Sequence, residues 1–99
     1  MKIKIKETSW GINRATGKFR KRVTAKARFP CVVGALPPFG KSGRCFTVES
    51  VGENTVCVSV KCAEPAFGKT VTVTKGCESM YRPRSCDGGY YYTFKLVRG

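Results

Sequence analysis

Cationic side chains recur at alternate positions along residues 18–28. The six even positions carry Lys18, Arg20, Arg22, Thr24, Lys26 and Arg28. Alternate residues of an extended strand share a face and lie about 6.6–6.8 Å apart. The spacing predicts one positive row, which the alternating Lys2, Lys4 and Lys6 would widen if they lie in the same sheet. Side-by-side cations favour a polyanionic ligand, and a nucleic acid backbone is the first candidate.

The charge of the whole chain supports this hypothesis. The 99 residues include 19 Lys or Arg, 6 Asp or Glu and no His, which gives a formal charge of +13. Solubility alone requires less charge in a domain of this size. Two other interpretations stay open: the row is a solvated face that guards an edge strand against aggregation, or it meets an acidic protein partner.

Aromatic side chains that could stack on bases lie near these cations. Tyr90 and Tyr92 are predicted to face the core, and Tyr91, which lies between them, is predicted to project from the opposite face of the last strand. Two further candidates for anion binding, Arg82 and Arg84, stand in a loop that also contains Tyr81. Trp10 and Phe19 flank the basic strand, although rings of this size more often belong to a core.

The same sequence argues against catalysis. Without His, the usual general base and the commonest metal ligand are missing, and the six acids form no recognisable pair. The segment 39–43 has the composition of a phosphate loop, but the G-x4-G-K-[ST] spacing is not met. The closest cysteines, Cys57 and Cys62, bracket a strand pattern that points their sulfurs apart. We therefore predict a binding protein with no enzymatic activity, no cofactor and no metal.

The cysteines leave the cellular compartment open. An even count of Cys in a short chain is typical of a secreted, disulfide-stapled domain, here a defence, effector or surface-binding module. The charged start has no signal-peptide core, which favours the cytoplasm, whereas a Met1 added to a processed chain would favour secretion. If bridges form, we expect the loop closures Cys31–Cys45 and Cys77–Cys86. A Cys57–Cys62 bridge is not expected. In an extended strand, five residue steps separate the two Cα atoms by about 16 Å, whereas a disulfide needs Cα atoms within about 7 Å.

Period-two alternation dominates the chain, and no stretch favours a helix. We predict one all-β domain over residues 1–99, a small antiparallel β-barrel or β-sandwich of about five to seven strands, with no transmembrane segment. The expected strands are 2–6, a short run around 10–12, 18–29, 46–51, 55–62, 69–75 and 90–97, and the expected loops include 30–44, 63–68 and 76–89. The hairpin around Gly52 should place Phe46 opposite Val60, Val48 opposite Val58 and Glu49 opposite Cys57.

Overall fold

The computed structural model describes residues 1–60, 69–83 and 88–98. Within them the chain forms eight strands: β1 (Lys2–Asn13), β2 (Lys18–Pro30), β3 (Gly34–Ala35), β4 (Phe46–Val51), β5 (Thr55–Val60), β6 (Lys69–Thr74), β7 (Ser79–Tyr81) and β8 (Gly88–Val97). They build two antiparallel sheets of four strands, ordered β2-β1-β8-β7 and β3-β4-β5-β6. The prediction of an all-β protein is confirmed. No helix in the described part of the chain has the length and apolar character needed to cross a membrane.

The first sheet is built on one long hairpin. The two runs expected near the N-terminus join into the single strand β1, which pairs with β2 along its whole length. The turn between β1 and β2 is fixed by Asn13, whose Oδ1 accepts a hydrogen bond from the Ala15 amide at 3.0 Å. Gly17 closes the turn at a φ of 69°, a conformation that glycine adopts without steric cost. Pro30 is the last residue of β2, as its missing amide hydrogen predicts.

The β4–β5 hairpin follows the predicted register only in part. Phe46 lies opposite Val60 and Val48 opposite Val58, as expected. A bulge then shifts the pairing, so Ser50 and not Glu49 faces Cys57. The expected Glu49–Cys57 pair is therefore wrong, because the inserted residue shifts the pairing after Val48 by one position.

Two of the predicted loops contain short strands. The loop expected at 30–44 holds β3, and the loop expected at 76–89 holds β7 and the start of β8. Strands of two or three residues carry too few positions to show a period, so the pattern could not reveal them. The loop predicted at 63–68 and the end of the strand predicted at 55–62 lie outside the described residues.

The inner faces of the two sheets meet in one apolar core. From the first sheet, Tyr92, Phe94 and Leu96 of β8 are buried, as their alternation predicts. From the second sheet, Phe46 packs edge-on against Phe94 at 5.4 Å and against Tyr92 at 5.1 Å between ring centroids. Because the core fills the inner face of the β2-β1-β8-β7 sheet, its other face points outward.

The described cysteines are free thiols. Cys31, Cys45 and Cys77 are unbonded, so neither of the loop closures expected if bridges form is present. Cys57 is also free, in agreement with the prediction that it does not bond to Cys62. Cys62 and Cys86 lie outside the described residues.

Candidate nucleic-acid interface

A β-bulge decides which way the cations of β2 point. Ala25 lies opposite Glu7 and Val23 lies opposite Thr8, which leaves Thr24 without a partner on β1. The Thr24 hydroxyl donates to the Glu7 carboxylate at 2.6 Å, so both side chains point inward. An extra residue in one strand shifts the phase of its alternation, so even positions before the bulge and odd positions after it share a face.

The single row of five cations predicted along β2 is therefore wrong. Residues directly opposite each other in an antiparallel pair project from the same face. Lys26 and Arg28 lie opposite Lys6 and Lys4 and point outward. The remaining three cations project from the inner face, beyond the bulge, at the far end of the hairpin: Lys18, Arg20 and Arg22.

The structure brings a different set of cations together on the outer face of the first sheet. We call it the cationic patch: Lys2, Lys4, Lys6, Lys26, Arg28 and Lys95. Lys4 has Arg28 beside it on one neighbouring strand and Lys95 on the other, so three cations stand in line across three strands. Within the described residues, no carboxylate is paired with any member of the patch. Directly opposed like charges destabilise a sheet, and a bound anion would relieve that cost.

Two shallow depressions mark the patch. One, of about 260 Å³, is lined by Lys4, Lys26, Ala27 and Arg28. The other, of about 140 Å³, is lined by Lys4, Lys6, Glu78, Thr93 and Lys95. Lys4 borders both, which makes the depressions neighbours on one continuous surface. Lys95 was missed in the sequence, although its alternation with Tyr91 already indicated an outward side chain.

An aromatic cluster occupies the other end of the same outer face. Trp10 stacks against Phe19 with 6.3 Å between ring centroids, and the Arg82 guanidinium lies 5.0 Å from the centre of the Trp10 ring. Phe19 remains 58% exposed, whereas Trp10 is only 8% exposed. The Trp10 indole nitrogen is buried and finds no acceptor among the described residues.

A cavity of about 620 Å³ lies beside this cluster. We call it the Trp10 cleft, and it is lined by Ser9, Trp10, Gly11, Phe19, Arg20, Lys21 and Arg22. Two of the predicted site residues, Arg20 and Arg22, therefore border the cleft rather than the cationic patch. Lys21 faces outward opposite Trp10, although its odd position suggested the apolar side of a regular strand.

The remaining predicted site residues fall between or beyond these two regions. Tyr91 lies opposite Thr8 on the outer face, as predicted, between the cationic patch and the aromatic cluster. Arg82 contacts Trp10, and Arg84 lies outside the described residues.

Sequence reasoning missed a buried carboxylate behind this surface. Glu7 is fully buried, and its carboxylate accepts hydrogen bonds from Thr24, from the Lys41 amide at 2.9 Å, from the Ser42 hydroxyl at 2.6 Å and from the Tyr92 hydroxyl at 3.0 Å. The signal was present, since Glu7 continues the inward positions Ile3 and Ile5. The segment 39–43, whose composition resembled a phosphate loop, thus binds a carboxylate of its own chain.

The protonation state of this cluster follows from its hydrogen bonds. Burial raises the pKa of Glu7, but the donors Ser42, Thr24, the Lys41 amide and Tyr92 together outweigh it and hold that pKa below its ordinary value. Burial also raises the pKa of Tyr92, which keeps its hydroxyl protonated and able to donate. A fully buried carboxylate of lowered pKa is a poor general base, so this cluster serves to anchor the loop. It also ties the Thr24 bulge to the core, and this bulge places Lys26 and Arg28 on the opposite face from Arg20 and Arg22.

Comparison of this chain with protein-family models, with curated proteins and with solved structures finds no match.

Proposed function

We propose that this protein is a non-enzymatic binding protein, which we interpret as a β-sandwich, and that its cationic patch grips the phosphate backbone of a nucleic acid. The observation that carries the proposal is the line Arg28–Lys4–Lys95 across three adjacent strands. Phosphate contacts by Lys and Arg carry little sequence information, so binding is largely independent of base sequence.

The cost of the patch to the free protein supports this proposal. Adjacent strands lie about 4.8 Å apart, so the three side chains in line begin close together. Lys6 and Lys26 form a second like-charged pair next to them. Such pairs work against folding. The same closely spaced cations favour binding of a polyanion, because each phosphate that they neutralise releases condensed counterions.

The test is the salt dependence of binding to a single-stranded oligonucleotide. If all six cations of the patch contact phosphates, log affinity falls against log salt with a slope near −4, from about −0.7 per contact. Replacing Lys4, Lys26 and Arg28 by Gln should flatten that slope by about two units. Folding should be retained or improved, because opposed like charges are removed.

A matched control changes the net charge equally. Lys41, Lys69 and Lys75 belong to the second sheet or its loops and are not members of the patch. Their replacement by Gln should leave the slope nearly unchanged. Equal flattening by both triple variants would reduce the proposal to a general effect of net charge. No binding to any oligonucleotide at low salt would refute it and favour an acidic protein as the partner.

A further inference from the structure

The Trp10 cleft combines an exposed aromatic ring with cations that have no role in the core. Phe19 leaves more than half of its surface in solvent, although burial of this ring would have stabilised the fold. Trp10 supports it from behind, and Ile12 stands opposite it on β1. The ring is thus held in place while one side stays accessible.

The charges around this ring fit a particular ligand. Arg20, Lys21 and Arg22 line the cleft, and Arg82 lies at the Trp10 ring. An aromatic platform flanked by cations is the arrangement that binds single-stranded nucleic acid, since bases stack on the ring and phosphates meet the charges. In a duplex the bases are already stacked and paired, and their flat faces cannot reach a side chain without unpairing.

We infer that the Trp10 cleft is a base-stacking subsite for single-stranded nucleic acid. An unpaired base stacks on Phe19, and a flanking phosphate contacts Lys21, which projects from the same outer face. Arg20 and Arg22 project from the inner face and line the cleft across the edge strand β2, where they meet the next phosphates of the strand. This inference rests on the proposed function and deepens it, because it adds a contact to the base to the contacts between phosphates and the cationic patch. Tyr91, between the two regions, lies on the path that a bound strand would follow.

The experiment compares ligands with and without accessible bases. Calorimetric titration uses oligo(dT) and oligo(U) 12-mers, a DNA duplex of the same length, and inorganic polyphosphate, all at one salt concentration. Phe19→Leu keeps an apolar cover on Trp10 but removes the flat ring. It should weaken binding of the single strands roughly 5- to 150-fold, the effect of losing one stacked base. It should leave polyphosphate and duplex binding unchanged. Val32→Ala, at an exposed apolar residue outside the cleft, is the control and should change none of these affinities.

Trp10 provides a second measurement, because it is the only tryptophan of the chain. The fluorescence emission of Trp10 should change when oligo(dT) or oligo(U) binds and stay constant when polyphosphate binds. A response to oligo(dT) or to oligo(U) supports the subsite, and the ratio of the two affinities tells which sugar it prefers.

The outcomes separate the two proposals. Equal losses for polyphosphate and single strands in Phe19→Leu, or no loss for either, would overturn the stacking subsite and leave the cationic patch standing. Absence of binding by all four ligands would overturn the proposed function itself, and the subsite with it.

Discussion

Alanine at position 40 should destabilise the protein much more than alanine at position 43. Both glycines lie in the loop that Glu7 holds, and both have positive φ, 74° for Gly40 and 65° for Gly43. A Cβ at Gly40 would lie 2.1 Å from Oε2 of Glu7 and 2.5 Å from Oε1. At Gly43 no atom lies within 4 Å of the added Cβ. Gly43→Ala thus shares the backbone strain and lacks the clash.

The expected magnitude follows from these distances. A left-handed conformation costs alanine roughly 1–2 kcal/mol at either position. At position 40 the carboxylate or the loop must also move by more than 1 Å to reach ordinary contact. Such a shift breaks one or two hydrogen bonds to a buried charge, each worth about 1.5–3 kcal/mol. Gly40→Ala should therefore lose about 2–4 kcal/mol more than Gly43→Ala.

Urea unfolding followed by circular dichroism measures this difference. With a slope of about 1–2 kcal/mol per molar urea, the midpoint of Gly40→Ala should lie roughly 1–4 M below that of Gly43→Ala. Indistinguishable midpoints for the two variants would show that the Glu7 carboxylate does not hold the loop in the way described.

Two further outcomes are expected. The lowered pKa of Glu7 stabilises the fold above the ordinary value of 4.5, and this contribution is lost as the pH falls through the pKa of the folded state. The difference in unfolding free energy between the wild type and Glu7→Gln should therefore narrow below pH 4.5, and a constant difference would contradict this account. Among the thiols, Cys45 and Cys77 are exposed, whereas burial raises the pKa of Cys31. Iodoacetamide at pH about 8 should alkylate Cys45 and Cys77 before Cys31, as read by peptide mass spectrometry, and the opposite order would disagree with the structure.

The sequence predicted the features that depend on regular alternation. The register of Phe46 with Val60 follows from burial of one face, because a shift by one residue would move the apolar set into solvent. The outward position of Tyr91 follows from the same rule. Alternation also placed the cations of Lys4 and Lys6 correctly on one outer face.

The features that depend on an inserted residue could not be predicted in this way. The bulge at Thr24 does not interrupt the apolar pattern of the odd positions from Val23 to Ala27, so a period-two count continues through it. The candidate site inherits this error, since Arg20 and Arg28 share a parity in sequence but not a face in the fold. The contact of Arg82 with the Trp10 ring could not be predicted either, because it joins residues that are remote in sequence.

The bulge at Thr24 sets rules for length changes in β2. If Thr24 is left out, the pairing of β2 with β1 is continuous across the bulge. Val23 then points outward and the next residue, Ala25, points inward, as in a regular strand. A chain shortened by this residue would keep every other side chain of the strand on its present face, and would lose only the local twist and the hydrogen bond to Glu7. Removal of one residue elsewhere in the strand would instead exchange the faces of all positions between the deletion and the bulge. Among homologues, a gap at position 24 would therefore leave the side chains of β2 on their present faces, whereas a gap at position 21 would exchange the faces of the residues between that gap and the bulge.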